Sequence, residues 1–101
     1  MNKVVSYFHS TYVEDFRQRK QLEAKHNNVP CVYSSKEVSY LKFMYCVDKK
    51  VYEKIEITLL DLPDECYMIM FEDGYTIDDV VDNVLNNFYS DYKWLVELDY
   101  N

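Results

Sequence analysis

Carboxylates are the chemical groups that this sequence concentrates. Asp61, Asp64, Glu65, Glu72, Asp73, Asp78, Asp79 and Asp82 fall within 22 residues that hold no Lys or Arg. Acid–base catalysis needs two such groups in unlike environments, one kept protonated and the other ionised. Nothing in the spacing singles out such a pair. Asp78, Asp79 and Asp82 lie in the first turns of a predicted helix, where each acidic side chain stabilises the N-terminus by roughly 0.3–1 kcal/mol. Asp61, Asp64, Glu65, Glu72 and Asp73 lie in predicted turns, where solvation accounts for them singly. Together they cannot be neutralised locally. Turn, strand, turn and helix ends meeting at one edge would make a negative face with Tyr75 in its middle, and these nine residues are the candidate partner-binding set.

Other chemistries find little material. The only histidines are His9 and His26, and Cys31, Cys46 and Cys66 are widely spaced, with no C-x-x-C. A zinc site needs four ligands, or three and a water. With no paired ligand spacing, no metal is expected, and isolated Cys residues read as small core hydrophobes. No His is placed near a Cys to serve as its base, so no catalytic residues are assigned and the chain is not expected to be an enzyme. Phosphate-cradling loops need glycine where the backbone approaches the anion. Gly74 is the only one, so nucleotide-binding loops are excluded and no cofactor is expected. An odd number of unpaired cysteines fits a reducing compartment. With no apolar run near the ~20 residues of a membrane helix and no secretory signal pattern at the start, the expected location is the cytoplasm, with no membrane partner.

Charge is unevenly spread. The net charge is −7, yet residues 1–54 carry ten Lys/Arg against six Asp/Glu, and residues 55–101 carry Lys93 alone against twelve Asp/Glu. Such asymmetry favours electrostatic partnering. Arg17-Gln18-Arg19-Lys20 with Lys25 is the one basic stretch, but Glu14, Asp15 and Glu23 dilute it, so direct nucleic-acid binding is not expected. A basic groove is a better fit, because duplex DNA presents about one negative charge per 1.7 Å of axis and carboxylates can compete for the same surface. Eleven tyrosines are compatible with a contact surface and equally with coding bias.

The elements that must position these groups point to a single α+β domain over residues 1–101. A composition of 49% apolar and 29% charged residues is that of a globular chain. Thr11 and Glu14 match a capping box that opens a thin-striped helix over about 12–26, stopped by Asn27-Asn28-Val29-Pro30. Leu41, Phe43, Tyr45 and Val47 alternate within 38–47, and Val51, Ile55, Ile57 and Leu59 mark one face of 51–60. Both read as strands of period two, joined as a hairpin at Asp48-Lys49-Lys50. Cys66–Phe71, apolar on both faces, reads as the central strand. Thr76 caps the strongest periodic segment, an amphipathic helix over about 76–89 with Ile77, Val80, Val81, Val84, Leu85 and Phe88 at steps of three and four. Alternation from Tyr92 to Tyr100 favours a last strand after Ser90-Asp91, with helix continuation as the alternative. The result is a small antiparallel sheet packed by one strong helix and one weak one.

The predicted hairpin followed by Asp61-Leu62-Pro63, Cys66, a short strand and the helix start Thr76-Ile77-Asp78-Asp79 resembles the HicB family of antitoxins, with Asp64 where that pattern has glycine. That resemblance covers about a third of the chain and implies a partial RNase-H-like fold that occludes a toxin ribonuclease. In size, charge and missing catalytic motifs the chain also looks like phage-encoded inhibitors of host enzymes, DNA mimics among them. The expected function is therefore a non-catalytic inhibitor that shows an acidic, DNA-mimicking face to a basic host protein. The alternatives are an antitoxin-like or regulatory module capping a small partner, and a self-associating structural protein, with a homodimer left open.

Overall fold

The computed structural model describes the backbone of residues 8–98 and the side chains of residues 8–90. Four helices follow one another: α1 (Thr11–His26), α2 (Ser35–Ile55), α3 (Tyr67–Glu72) and α4 (Ile77–Leu98), with a 3-10 turn at Leu59–Asp61 between α2 and α3. No strand occurs among the described residues. None of these helices is long and apolar enough to cross a membrane.

The expected α+β fold is therefore overturned. Among the described residues there is no antiparallel sheet, and the RNase-H-like fold implied by the HicB resemblance has no strands there to stand on. The two predicted strands and their hairpin turn are one helix, α2. Its buried positions are Tyr40, Met44, Val47, Asp48 and Val51, at steps of four, three, one and three, the spacing of one helical face. Half-buried Leu41 and Phe43 flank that face, so the apolar set is broad enough to match a period of two as well. The supposed turn Asp48-Lys49-Lys50 has none of the Gly or Asn that tight hairpins use for positive φ. Of Cys66–Phe71, expected as the central strand, Cys66 is the N-cap of α3 and the rest lies within that helix, which buries Tyr67 and Met70 one helical turn apart. The expected C-terminal strand is instead the second half of α4 through residue 98. Residues 99–100 of that strand, and residues 1–7 of the ambiguous N-terminus, lie outside the described residues.

Helix ends explain why these segments start and stop where they do. Ser34 and Glu37 form a capping box at α2, with the Ser34 N–H donating to Glu37 Oε1 at 2.9 Å and the Glu37 N–H to Ser34 Oγ at 3.1 Å. Thr76 caps α4 in the same reciprocal way with Asp79, both bonds being 3.0 Å. The cap of α1 is Ser10, whose Oγ accepts from the Val13 N–H at 3.1 Å, one residue before the predicted Thr11. At its far end the Val29 N–H donates to Ala24 O and the Asn28 N–H to Lys25 O, with Asn28 at φ 57. Gly74 plays the same part after α3 at φ 89, with the Tyr75 N–H on Met70 O and its own N–H on Phe71 O. These are paired Schellman bonds around a left-handed residue, and they turn the chain sharply.

Packing centres on α2, which contacts α1, α3 and α4. Met44, Val47 and Val51 are fully buried against Val80, Val81, Val84 and Leu85 of α4, with Tyr67 and Met70 of α3 and Leu59 of the 3-10 turn completing the core. Truncating a residue such as Met44 to Ala would cost about 2–5 kcal/mol. α1 contributes no fully buried residue. Its half-buried Tyr12, Val13 and Phe16 lie against the core, and buried polar contacts hold it in place. Ser10 Oγ donates to Asp48 Oδ2 at 2.7 Å, and the other carboxylate oxygen, Oδ1, accepts from the Leu59 N–H at 2.8 Å. One fully buried carboxylate thus joins α1, α2 and the 3-10 turn.

Candidate functional site

α4 buries Val80, Val81, Val84 and Leu85, and that fixes what its other faces present. Asp82 and Asn86, one turn apart, are exposed, and Asp79, Asn83 and Asn87 run along one edge at steps of four. Tyr75, in the turn before α4, is 44% exposed. With Asp79, Asp82, Asn83 and Asn86 it lines a shallow concavity of about 380 Å³. The Asp79 carboxylate is held in place by the Thr76 N–H, so it is fixed as well as charged. Asn83 is steadied from below, its Nδ2 lying 3.5 Å from Met70 Sδ.

A second acidic group lies further along the same edge. Asn87 Nδ2 donates to Glu65 Oε2 at 3.0 Å, which docks the 62–65 segment against α4. Asp64 is exposed beside it. From Asp79 to Asn87 is eight residues, or about 12 Å of helix. The carboxylates of the two groups therefore share an edge of α4 without forming one cluster.

The remaining candidates are placed apart. Glu72 pairs with Lys36 of α2, and Asp78 with Lys50 of α2 at 3.1 Å, so cations from the N-terminal half neutralise both. Asp61 accepts from Thr58 Oγ1 at 3.4 Å on the 3-10 turn. Asp73 caps the C-terminal end of α3 and is exposed. Asp61, Asp64, Asp73, Asp79 and Asp82 form no ion pair among the described residues. The structure thus brings together Tyr75, Asp79 and Asp82, and separately Asp64 and Glu65, and leaves Asp61, Glu72, Asp73 and Asp78 outside both groups.

The basic stretch of α1 is largely compensated. Arg17 lies 3.7 Å from Glu14, Arg19 is 2.8 Å from Asp15 and Lys20 is 2.9 Å from Glu37. The hydrogen bond from Lys20 to Glu37 raises the Lys20 pKa above its ordinary value. The same ammonium stands 5.5 Å from the centre of the Tyr33 ring.

Sequence reasoning passed over a cluster of Tyr12, Tyr40 and Tyr67. The Tyr12 and Tyr40 hydroxyls are 2.8 Å apart, the Tyr12 and Tyr67 rings meet edge to face at 5.6 Å, and the Tyr67 hydroxyl is buried with no protein partner. Burial pushes all three above the ordinary tyrosine value, and nearby Asp64 adds to the shift. Tyr67 and Met70 at a helical step were the signal that could have placed Tyr67 inside. Tyr40 and Tyr67 are buried members of the core and Tyr12 packs against it, so the cluster packs the core. Among the described residues no three His, Cys, Asp or Glu side chains gather closely enough to hold a metal ion. No protein-family model matches the sequence, and comparison with curated proteins and with solved structures gives no match.

Proposed function

We propose that the chain is a non-catalytic binding protein that presents the exposed side of α4 to a basic surface on a partner protein. The observation that supports this most is the state of the carboxylates around Tyr75. Asp79 and Asp82 flank an exposed aromatic ring, carry no ion pair, and lie in a segment without a single Lys or Arg. Tyrosine supplies contact area at low entropic cost, and the acids supply steering and register. The two amides of the concavity, Asn83 and Asn86, add donors and acceptors that suit a polar interface.

A surface built to grip a polyanion is the most strongly basic kind that proteins offer. The partner class that fits this face is therefore a nucleic-acid-handling protein, with the chain acting as an inhibitor that competes for its groove. To test it, a partner captured from lysate is purified and titrated with the chain at several salt concentrations, with duplex DNA as competitor. The expected result is mutually exclusive binding and an affinity that falls steeply as ionic strength rises. The informative variant reverses Asp82 to Lys, because Asp79 caps α4 and Asp78 already pairs with Lys50. A loss of about tenfold or more is expected, since the reversal replaces an attraction with a repulsion. Unchanged affinity in that variant, or binding indifferent to salt, would remove the electrostatic mechanism.

A further inference from the structure

The better-enclosed concavity of the acidic half lies between the Leu62–Glu65 segment and α4. Its floor is the buried side chain of Val84, and its walls are Leu62, Pro63 and Phe88. Asp64 and Glu65 stand at the rim, and among the described residues no Lys, Arg or His lines it. The cleft encloses about 220 Å³, below the roughly 300 Å³ at which sites for small organic ligands begin. It has room for one or two side chains. The hydrogen bond from Asn87 fixes the Glu65 carboxylate at the edge, so the rim charge is positioned before anything binds.

We infer that this cleft receives a leucine-sized apolar side chain from a cationic segment of the partner, with neighbouring Lys or Arg residues paired to Asp64 and Glu65. This rests on the binding reading above and adds to it a second, apolar contact. Charge complementarity selects the occupant. An acidic segment or a phosphate-bearing ligand would be repelled by the rim, and an uncharged apolar segment would desolvate two carboxylates with no cation to balance them, which is costly. A basic segment satisfies the rim and fills the floor at once. It also explains why the acidic half of the chain offers an apolar recess at all.

The test uses the isotope-labelled full chain and a short synthetic peptide with one Leu between two Arg in a Gly/Ser frame. Backbone amide shifts are followed by NMR as the peptide is added. Saturable shifts are expected at Leu62, Asp64, Glu65 and Asn87. Replacing the peptide's Leu by Ser should weaken binding about tenfold or more. Replacing its Arg residues by Glu should abolish binding. The double variant Asp64→Asn, Glu65→Gln keeps the shapes of the rim and should weaken binding several-fold, with an unchanged amide spectrum showing that the fold is intact. Shifts confined to Tyr75, Asp79 and Asp82 would overturn the cleft and leave the acidic face standing. Equal binding of the Leu and Ser peptides, or no saturable shift in the cleft, would overturn it too. The salt and competition experiment with the whole partner decides the broader reading separately.

Discussion

Asp48 shows how much a single side chain can decide here. The sequence pattern put it in a hairpin turn, where an aspartate is ordinary. It is in fact fully buried, with one oxygen on Ser10 and the other on the Leu59 backbone. No sequence periodicity signals a polar residue on a buried helix face, because the pattern looks for apolar groups and counts an acid as solvent-facing. Removing its carboxylate leaves a buried N–H and a buried hydroxyl without that partner, each costing about 1–3 kcal/mol. Asp48→Ala is expected to lower stability by about 2–5 kcal/mol in urea unfolding. Asp48→Asn should cost less than half as much, since its oxygen can still accept from Leu59 and its amide can donate to Ser10. Equal losses would mean that the charge, and not the hydrogen-bonding shape, holds this junction.

At the scale of elements, the legible parts were those carried by strong periodicity or by caps. α1 and the start of α4 were readable from Thr76, from the Asn27-Asn28 stop and from the Ile77–Phe88 stripe. α2 was missed although Ser34 and Glu37 spell a capping box, because only the alternation downstream was read, as two strands. Glu37 now offers a test of that cap. The Ser34 N–H first, and Lys20 second, hold its carboxyl below the ordinary glutamate range. The unfolded chain therefore takes up this proton at a higher pH than the folded one. Any stability the cap provides is present above the unfolded pKa of about 4.3 and is lost as pH falls through the lower folded value. The difference in melting temperature between the wild type and Glu37→Gln should shrink steadily below about pH 4. A constant difference through that range would take Glu37 out of the acid response. The end of α2 gives a second, independent check. Glu56 adopts φ 58 there, in the left-handed region that disfavours side chains, and it is exposed. Glu56→Gly is expected to raise stability by about 0.5–1 kcal/mol. A drop in melting temperature would show that the glutamate earns its place by a contact of its own.

Across the whole molecule, salt acts on two properties in opposite directions. The face around Tyr75 binds through long-range attraction, so added ions weaken binding by screening it. The fold itself carries a net charge of −7, because the −11 of residues 55–101, the half that contains the candidate sites, outweighs the +4 of residues 1–54. Like charges such as Asp79 and Asp82 repel one another within the folded chain, and screening relieves that repulsion. The opposing loss, from weakening the exposed ion pairs of α1, α2 and α4, is small, because such pairs contribute only about 0–1 kcal/mol each. Between low and high salt the melting temperature is therefore expected to hold or rise by a few degrees while partner affinity falls. Measuring both on one preparation separates screening from unfolding as the cause of lost binding. The Asp82→Lys variant sharpens the contrast, since moving the net charge towards zero should flatten the salt dependence of its melting temperature. A wild-type melting temperature that falls with salt in step with affinity would mean that ion pairs, such as Lys50 with Asp78, outweigh the repulsion, and that the acidic half is internally balanced.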